Sequence, residues 1–446
     1  MRRNGMVSPE VLRLTPSRLV HWLSLCVVGG CSLLAASAAN AVPQVPQAPT
    51  LIFFEDFQNI VPPANGMLLT GYTGGGGETY SADAAWLAGC NGLMSSGNEA
   101  AAGSFGQTAA CSGQTEWNQT QQIAWALGQF KNPTTAWGNY AVSAYTSNSP
   151  AANLIEFQSN NPIALPHPGR FIAARIDVGA LNCARASAPY LQFQLLDGAT
   201  VLNAGAVING CTGANGPNSY TLIDTPAIGT APAGVGDIGE TAGARVDTYT
   251  SGGVIITGSS AGIRMRNING GGGGNDHAFD NVELLDVSPA LDKSFSPTSV
   301  MVNATSTLTF TVTNTSELGS KPGWSFTDTL PAGLVVATPP ATSTTCDSGS
   351  VTAVAGGSTV AVTGNLNTGS TYCTMTVNVT SASAGSYVNG PDNIVSQGLT
   401  PPQPSTVRFG APAPVVTAVP VGTPLMLLLL STFLAGFAGL RLRGRK

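Results

Sequence analysis

Thr305-Ser306-Thr307-Leu308-Thr309-Phe310-Thr311-Val312-Thr313-Asn314 alternates apolar and hydroxyl side chains without a slip. Successive side chains of an extended chain point to opposite faces, so Leu308, Phe310 and Val312 line one face and Thr307, Thr309, Thr311 and Thr313 the other. This pattern predicts an antiparallel strand with one face on a core and one in water. The same period returns at Thr359 to Thr363 and from Cys373 to Thr380, where Cys373 falls in phase with Met375, Val377 and Val379 and so faces the core. Short strands separated by turn residues over about 110 residues predict a β-sandwich of immunoglobulin type. Its upstream edge is Asp286-Val287-Ser288-Pro289, which gives a domain over 289–408.

Four blocks in that region carry a resemblance: Ala290 to Pro297 (ALDKSFSP), Ser306 to Phe310 (STLTF), Phe326 to Leu334 (FTDTLPAGL) and Cys373 to Val377 (CTMTV). Together they resemble the conserved repeat domain of bacterial surface proteins catalogued as domain of unknown function eleven. The resemblance covers about a quarter of the chain and implies an extracellular, Ig-like, non-catalytic module. The chain departs from the pattern at Thr315 to Trp324, where such domains carry an Asn-rich turn of small residues.

The larger region, residues 50–288, also reads as all-β. Ile172, Ala174, Ile176 and Val178 are in phase, as are Leu191, Phe193 and Leu195, then Ile263 and Met265, and no helical stretch is expected between them. Phe53-Phe54-Glu55-Asp56-Phe57 opens the region and Asn275 to Leu284 closes it. This bracketing is similar to jelly-roll carbohydrate-binding domains, in which first and last strands are neighbours. The likeness implies a calcium ion held by Glu55, Asp56, Asp280 and Asn281, since calcium takes six to eight oxygen ligands.

Three chemical signals in this region have bland alternatives. Gly258-Ser259-Ser260-Ala261-Gly262 fits the nucleophile turn G-x-S-x-G, but Ile263-Arg264-Met265-Arg266 after it reads as strand where a helix is required, so a hairpin turn is expected. Gly271-Gly272-Gly273-Gly274-Asn275-Asp276-His277-Ala278-Phe279 approximates a calcium-binding nonapeptide, yet it occurs once and that fold needs stacked repeats. Glu55, Glu156 and Glu283 supply carboxylates for glycoside hydrolysis, but no motif groups them.

Both ends of the chain read as targeting segments. Arg2, Arg3, Arg13 and Arg18 precede the apolar run Leu19 to Leu34, and Ala39-Asn40-Ala41 follows, which predicts a signal peptide cut by signal peptidase after Ala41. Cys31 behind Val28-Gly29-Gly30 leaves a lipoprotein signal as the alternative. Residues 42–49 read as a linker. A Pro-rich spacer over 409–424 leads to an apolar run over 425–440, about 24 Å long as a helix, and to the basic stop 441–446. The positive-inside bias puts that terminus in the cytoplasm. The tail resembles the PEP-CTERM and IPTL-CTERM sorting signals of Gram-negative exported proteins, with Val419-Pro420 at the motif position. That likeness implies an exosortase-type enzyme as partner and a cell-envelope location. A permanent anchor in the membrane is the alternative.

Six Cys lie between these ends, and an even number in an exported chain reads as disulfides. Sequential pairing gives Cys90–Cys111, Cys183–Cys211 and Cys346–Cys373; zinc is disfavoured because no C-x-x-C occurs. The same span carries ten Lys or Arg against twenty-two Asp or Glu, a net −12 that excludes nucleic acid as a natural partner. With no catalytic constellation, the expected function is adhesion or matrix binding of a glycan or protein ligand. A structural envelope protein is the alternative and an extracellular hydrolase the third reading. Trp86, Trp117, Trp125 and Trp137 are either a sugar platform or core.

Overall fold

Arg170–Leu181 is the central strand of the N-terminal part, and its in-phase Ile172, Ala174, Ile176 and Val178 are all buried on one face. The computed structural model describes residues 42–60, 67–88, 91–98, 117–144, 151–224, 243–411 and Leu428. The central strand pairs on one side with Ala244–Thr250 and on the other with the closing strand Asp276–Asp286, within a nine-stranded sheet. A seven-stranded sheet, including Leu154–Ser159, Tyr190–Asp197 and Ser260–Asn267, faces it. Phe157, Phe193, Ile263 and Met265 from the second sheet meet Ile176, Phe279 and Leu284 from the first. Burying such side chains contributes about 1.5–3 kcal/mol each, so the alternation read from the sequence is what closes the sandwich.

The opening strand Thr50–Glu55 pairs antiparallel with the closing strand, Glu55 opposite Val282. The two ends of the region are therefore neighbours in one sheet.

The helix Trp117–Lys131 is a correction, because none was expected. It lies on the outer face of the nine-stranded sheet, where Ile123, Ala124 and Leu127 pack on Ala141, Val246 and Ala278. Gly179 lets it approach, since a Cβ there would stand 3.2 Å from Ile123. The turn Thr257–Ser259 is a second correction. It joins Val254–Ile256, in the first sheet, to Ser260–Asn267, in the second, so it crosses between sheets and closes no hairpin. Asp197 ties it down by accepting from the Thr257 and Gly258 N–H groups at 2.8 and 3.0 Å.

In the C-terminal part, Thr305–Thr313 lies between Ala290–Ser296 and Tyr372–Thr380 with Leu308, Phe310 and Val312 opposite Val377, Met375 and Cys373. A four-stranded sheet containing Lys321–Thr329 and Thr359–Leu366 packs against it, and a three-stranded sheet of Ser299–Met301, Ser405–Gly410 and Gly385–Asn389 completes the sandwich. Trp324 is fully buried across Gly364, where a Cβ would be 2.5 Å from the indole. Disulfides Cys346–Cys373 and Cys183–Cys211 are formed, one in each part.

The two sandwiches share a core. Phe171, Ala173, Leu285 and Val287 join Leu291 and Leu399 in one apolar cluster, and the Gly398 N–H donates to Gly169 O at 2.7 Å. Residues 42–49 belong to the same junction: Gln44 N–H donates to Thr313 Oγ1 at 2.9 Å and Ser316 N–H to Gln47 O at 2.8 Å. The signal peptide with Ala41, the Cys90–Cys111 pair, Val419, Pro420, the basic stop 441–446 and all but Leu428 of the run 425–440 lie outside the described residues. Among the described residues, no helix is long and apolar enough to cross a membrane.

Candidate functional site

The closing strand carries most of the polar chemistry of the N-terminal sandwich. His277 and Phe279 occupy one parity of its alternation and Val282 and Leu284 the other, because the register shifts between Asp280 and Glu283. Asn281, in left-handed backbone at φ 52°, is the inserted residue. The bulge decides what the four expected calcium ligands can do. Glu55, paired opposite Val282, points into the sandwich. There its Oε1 accepts from Tyr72 Oη and the Phe57 N–H, both at 2.8 Å, and its Oε2 from Tyr80 Oη at 2.6 Å. Burial first, then the hydrogen bond and charge of Glu55, push both tyrosine pKa values far up.

Asp280 is turned to the opposite face, under the helix. Its Oδ2 accepts from Asn139 Nδ2 at 2.8 Å and its Oδ1 from the Asn281 N–H at 2.7 Å. Asp177 stands directly across on the central strand and accepts from Asn281 Nδ2 at 2.9 Å, with Lys131 Nζ 3.7 Å away. Burial, with the like charges of Asp177 and Asp56 behind it, raises the Asp280 pKa well above its ordinary value, against the lowering effect of its hydrogen bonds. Asp56 keeps its Oδ1 on the Gln58 N–H at 3.1 Å. The expected shared calcium shell of Glu55, Asp56, Asp280 and Asn281 is therefore not assembled: Glu55 and Asp280 are on opposite faces of one sheet. Among the described residues, no group of three or more His, Cys, Asp or Glu is placed to hold a metal ion.

Inside the sandwich, His277 Nε2 is 2.7 Å from Glu156 Oε2, with side-chain exposures of 0% and 1%. Burial alone would lower the His277 pKa, but the charge and hydrogen bond of Glu156 and the Asn275 carbonyl at 3.3 Å outweigh it, and the net direction is up. The pair joins the closing strand to Leu154–Ser159 in the opposite sheet and offers no access to a substrate. The residue pattern that suggested a nonapeptide calcium loop ends in this structural strand. Asn275 at its centre accepts from Asn267 Nδ2 at 2.9 Å.

Of the tryptophans, Trp86 is 1% exposed and belongs to the core. The side chain of Trp117 lies outside what is described. Trp125 is half-buried on the helix, and Trp137, on the turn Ala136–Gly138, is 46% exposed. Their ring centroids are 5.9 Å apart at 55°. Gly97 lies under Trp137, where a Cβ would come within 2.9 Å of the ring. Asn132, Thr134 and Thr135, on the loop between Trp125 and Trp137, expose amide and hydroxyl groups. An indole face bordered by such groups suits a ligand with an apolar face and a polar edge.

Residues 289–406 match a family model described as a domain of unknown function (DUF7933), about a quarter of the chain. No curated protein matches. Among solved structures, the chain is similar to the N-terminal domain of the Streptococcus gordonii adhesin Sgo0707, at 10% identity and TM-score 0.27, over 62% of this chain and 67% of that one. It is similar also to the type II cohesin dyad from the adaptor ScaA scaffoldin of Acetivibrio cellulolyticus, at 9% identity and TM-score 0.20, over 59% and 96%. A third is the C-terminal domain of the Streptococcus agalactiae AgI/II polypeptide BspA, at 8% identity and TM-score 0.20, over 60% and 97%. TM-scores this low carry no argument about ligand or mechanism.

Proposed function

We propose that this chain is an exported, non-catalytic surface protein that binds a glycan through the Trp125–Trp137 face of its jelly-roll-like N-terminal sandwich. The C-terminal Ig-like sandwich holds that face away from a terminal apolar anchor or sorting helix. The observation that carries the reading is the exposed Trp137 ring set against Trp125 over Gly97, because two neighbouring indoles at the surface offer an apolar face on which a sugar ring can stack. The buried acids do not compete with it: Glu55, Glu156 and Asp280 are each enclosed and engaged by neighbouring donors. A glycan array probed with the wild-type protein and with Trp137→Ala tests the proposal. Binding that is lost in the variant at unchanged melting temperature is the expected result. An array with no signal for wild type, or equal signal for both proteins, defeats it.

A further inference from the structure

Two charged residues of the C-terminal sandwich stand where the strand pattern calls for apolar ones. Lys293 falls between core residues Leu291 and Phe295, and Asp328 between Phe326 and Leu330. Both side chains are at 0% exposure, with Lys293 Nζ 3.6 Å from Asp328 Oδ1. A third buried group joins them. Lys293 Nζ donates to Asn389 Oδ1 at 2.6 Å and to Gly390 O at 2.9 Å, while Asn389 Nδ2 donates to Asp328 Oδ2 at 2.6 Å. The three residues come from three different sheets of the sandwich.

We infer that Lys293 and Asn389 react to form an intramolecular isopeptide bond, with Asp328 as the proton carrier between them. A carboxamide is a poor acyl donor in water, but here the amine is held against it, and such positioning is worth orders of magnitude in rate. Asp328 takes a proton from the Lys293 ammonium, and the free amine adds to Asn389 Cγ. The Nζ–Cγ bond forms and the Cγ–Nδ2 bond breaks. Of the three Nζ protons one stays on the new amide, and two leave with Nδ2 as ammonium, so atoms and charge balance and nothing is oxidised or reduced. Asp328 sits 2.6 Å from the departing nitrogen, in place to hand over the proton. Burial favours the forms the step needs, lowering the Lys293 pKa and raising that of Asp328, each partly opposed by the other's charge.

The same sandwich holds an internal control. Lys321 Nζ lies 3.2 Å from Asn314 Oδ1, and Glu317 Oε1 accepts from that amine. But Asn314 Nδ2 is held by the carbonyls of Gly319 and Ser370, both at 3.0 Å. The carboxylate there contacts the amine, and the carboxamide nitrogen is taken up by the two carbonyls, so among the described residues no acid is placed to protonate the departing nitrogen and the pair stays unlinked. A Lys293–Asn389 bond would tie the first strand of the sandwich to a strand 96 positions later.

Protease digestion and mass spectrometry of the full folded chain decide the matter. The expected product is a branched species that joins the Lys293 and Asn389 peptides and is one ammonia lighter than their sum, with Lys321 and Asn314 unmodified. Asp328→Asn should fold, retain the Cys346–Cys373 disulfide and yield the two peptides unlinked. Recovery of both linear peptides in full yield from folded wild type overturns the inference, whatever the variant does. A branched peptide that persists in Asp328→Asn overturns the role given to Asp328.

Discussion

Along Tyr372–Thr380 of the C-terminal sandwich, every second residue is buried and the others are half-buried or exposed, whereas Arg170–Leu181 of the N-terminal one is buried at nearly every position. The difference lies in what covers the outer face: water in the first case, and in the second the C-terminal sandwich over Phe171 and Ala173 and the helix Trp117–Lys131 over Gly179. A covered outer face must satisfy the polar groups on it without solvent. In the N-terminal part those groups include two aspartates set directly opposite each other, so like charges meet in a dry place. In the C-terminal part the buried pair that stays charged, Lys321 with Glu317, is of opposite sign. The N-terminal sandwich should therefore lose stability as pH rises, and the C-terminal one should be much less sensitive.

The largest effect is expected at the pair that crosses the N-terminal core. Glu156→Gln leaves the His277 imidazole buried without its counter-charge, and breaking a buried pair in this way costs about 3–5 kcal/mol. The His277 pKa is raised in the folded protein, so its contribution is fully present below the ordinary histidine value of 6.5 and is lost as pH rises through the folded value above it. Urea midpoints of wild type measured from about pH 6 to 9 should fall, and those of Glu156→Gln should start lower and stay flat. Flat midpoints in wild type would break the proposed contrast between the two sandwiches.

How much of this could be read in advance follows the same division. Leu308, Phe310 and Val312 announced their strand because threonines alternate with them, but the expected water-facing side holds only for Thr307 and Thr309, which stay half-buried, while Thr311 and Thr313 are buried. The helix gave weaker notice: Trp117-Asn118-Gln119-Thr120-Gln121-Gln122 has no apolar period, and only Ile123, Ala124 and Leu127 mark the buried side. The pairing of the first and last strands of the N-terminal part came from the likeness of its end motifs to jelly-roll domains, but the bulge at Asn281 was not legible, since one inserted residue reverses every side chain beyond it without altering composition. Lys293 and Asp328 were visible in the core phase of their strands. Nothing in the pattern pairs the two, and Asn389 lies too far along the chain to be connected by it.

A smaller effect, of opposite sign, is expected at the acid pair. The Asp280 pKa is raised in the folded state, so stability is fully present below the ordinary value of 3.8 and is lost as pH rises through the folded value. Asp280→Asn removes the like charge facing Asp177 and has no proton to lose. It should be about 1–2 kcal/mol more stable than wild type at neutral pH, and the gain should vanish in acid. A destabilised variant at neutral pH would show that the Asp280 carboxylate is held there as an anion, which would remove one half of the contrast.

The smallest effect is expected from calcium, and its absence follows from where the bulge sends the side chains. A calcium ion needs six to eight oxygens at about 2.3–2.6 Å around one point. Glu55 has its oxygens on Tyr72, Tyr80 and Phe57 inside the sandwich, whereas Asp280 has its own on Asn139 and Asn281 under the helix. Gathering them would break at least five hydrogen bonds to carboxyl oxygens, each worth about 1 kcal/mol, and would require the sheet to lose the register that separates them. A site of useful affinity at 100 times its dissociation constant would add about 2.7 kcal/mol. Calorimetric melting of metal-stripped protein should instead give the same transition with chelator and with millimolar calcium. A clear upward shift that Asp280→Asn abolished would mean that the closing strand adopts a second register, with Asp280 and Glu55 on one face, when the ion is present.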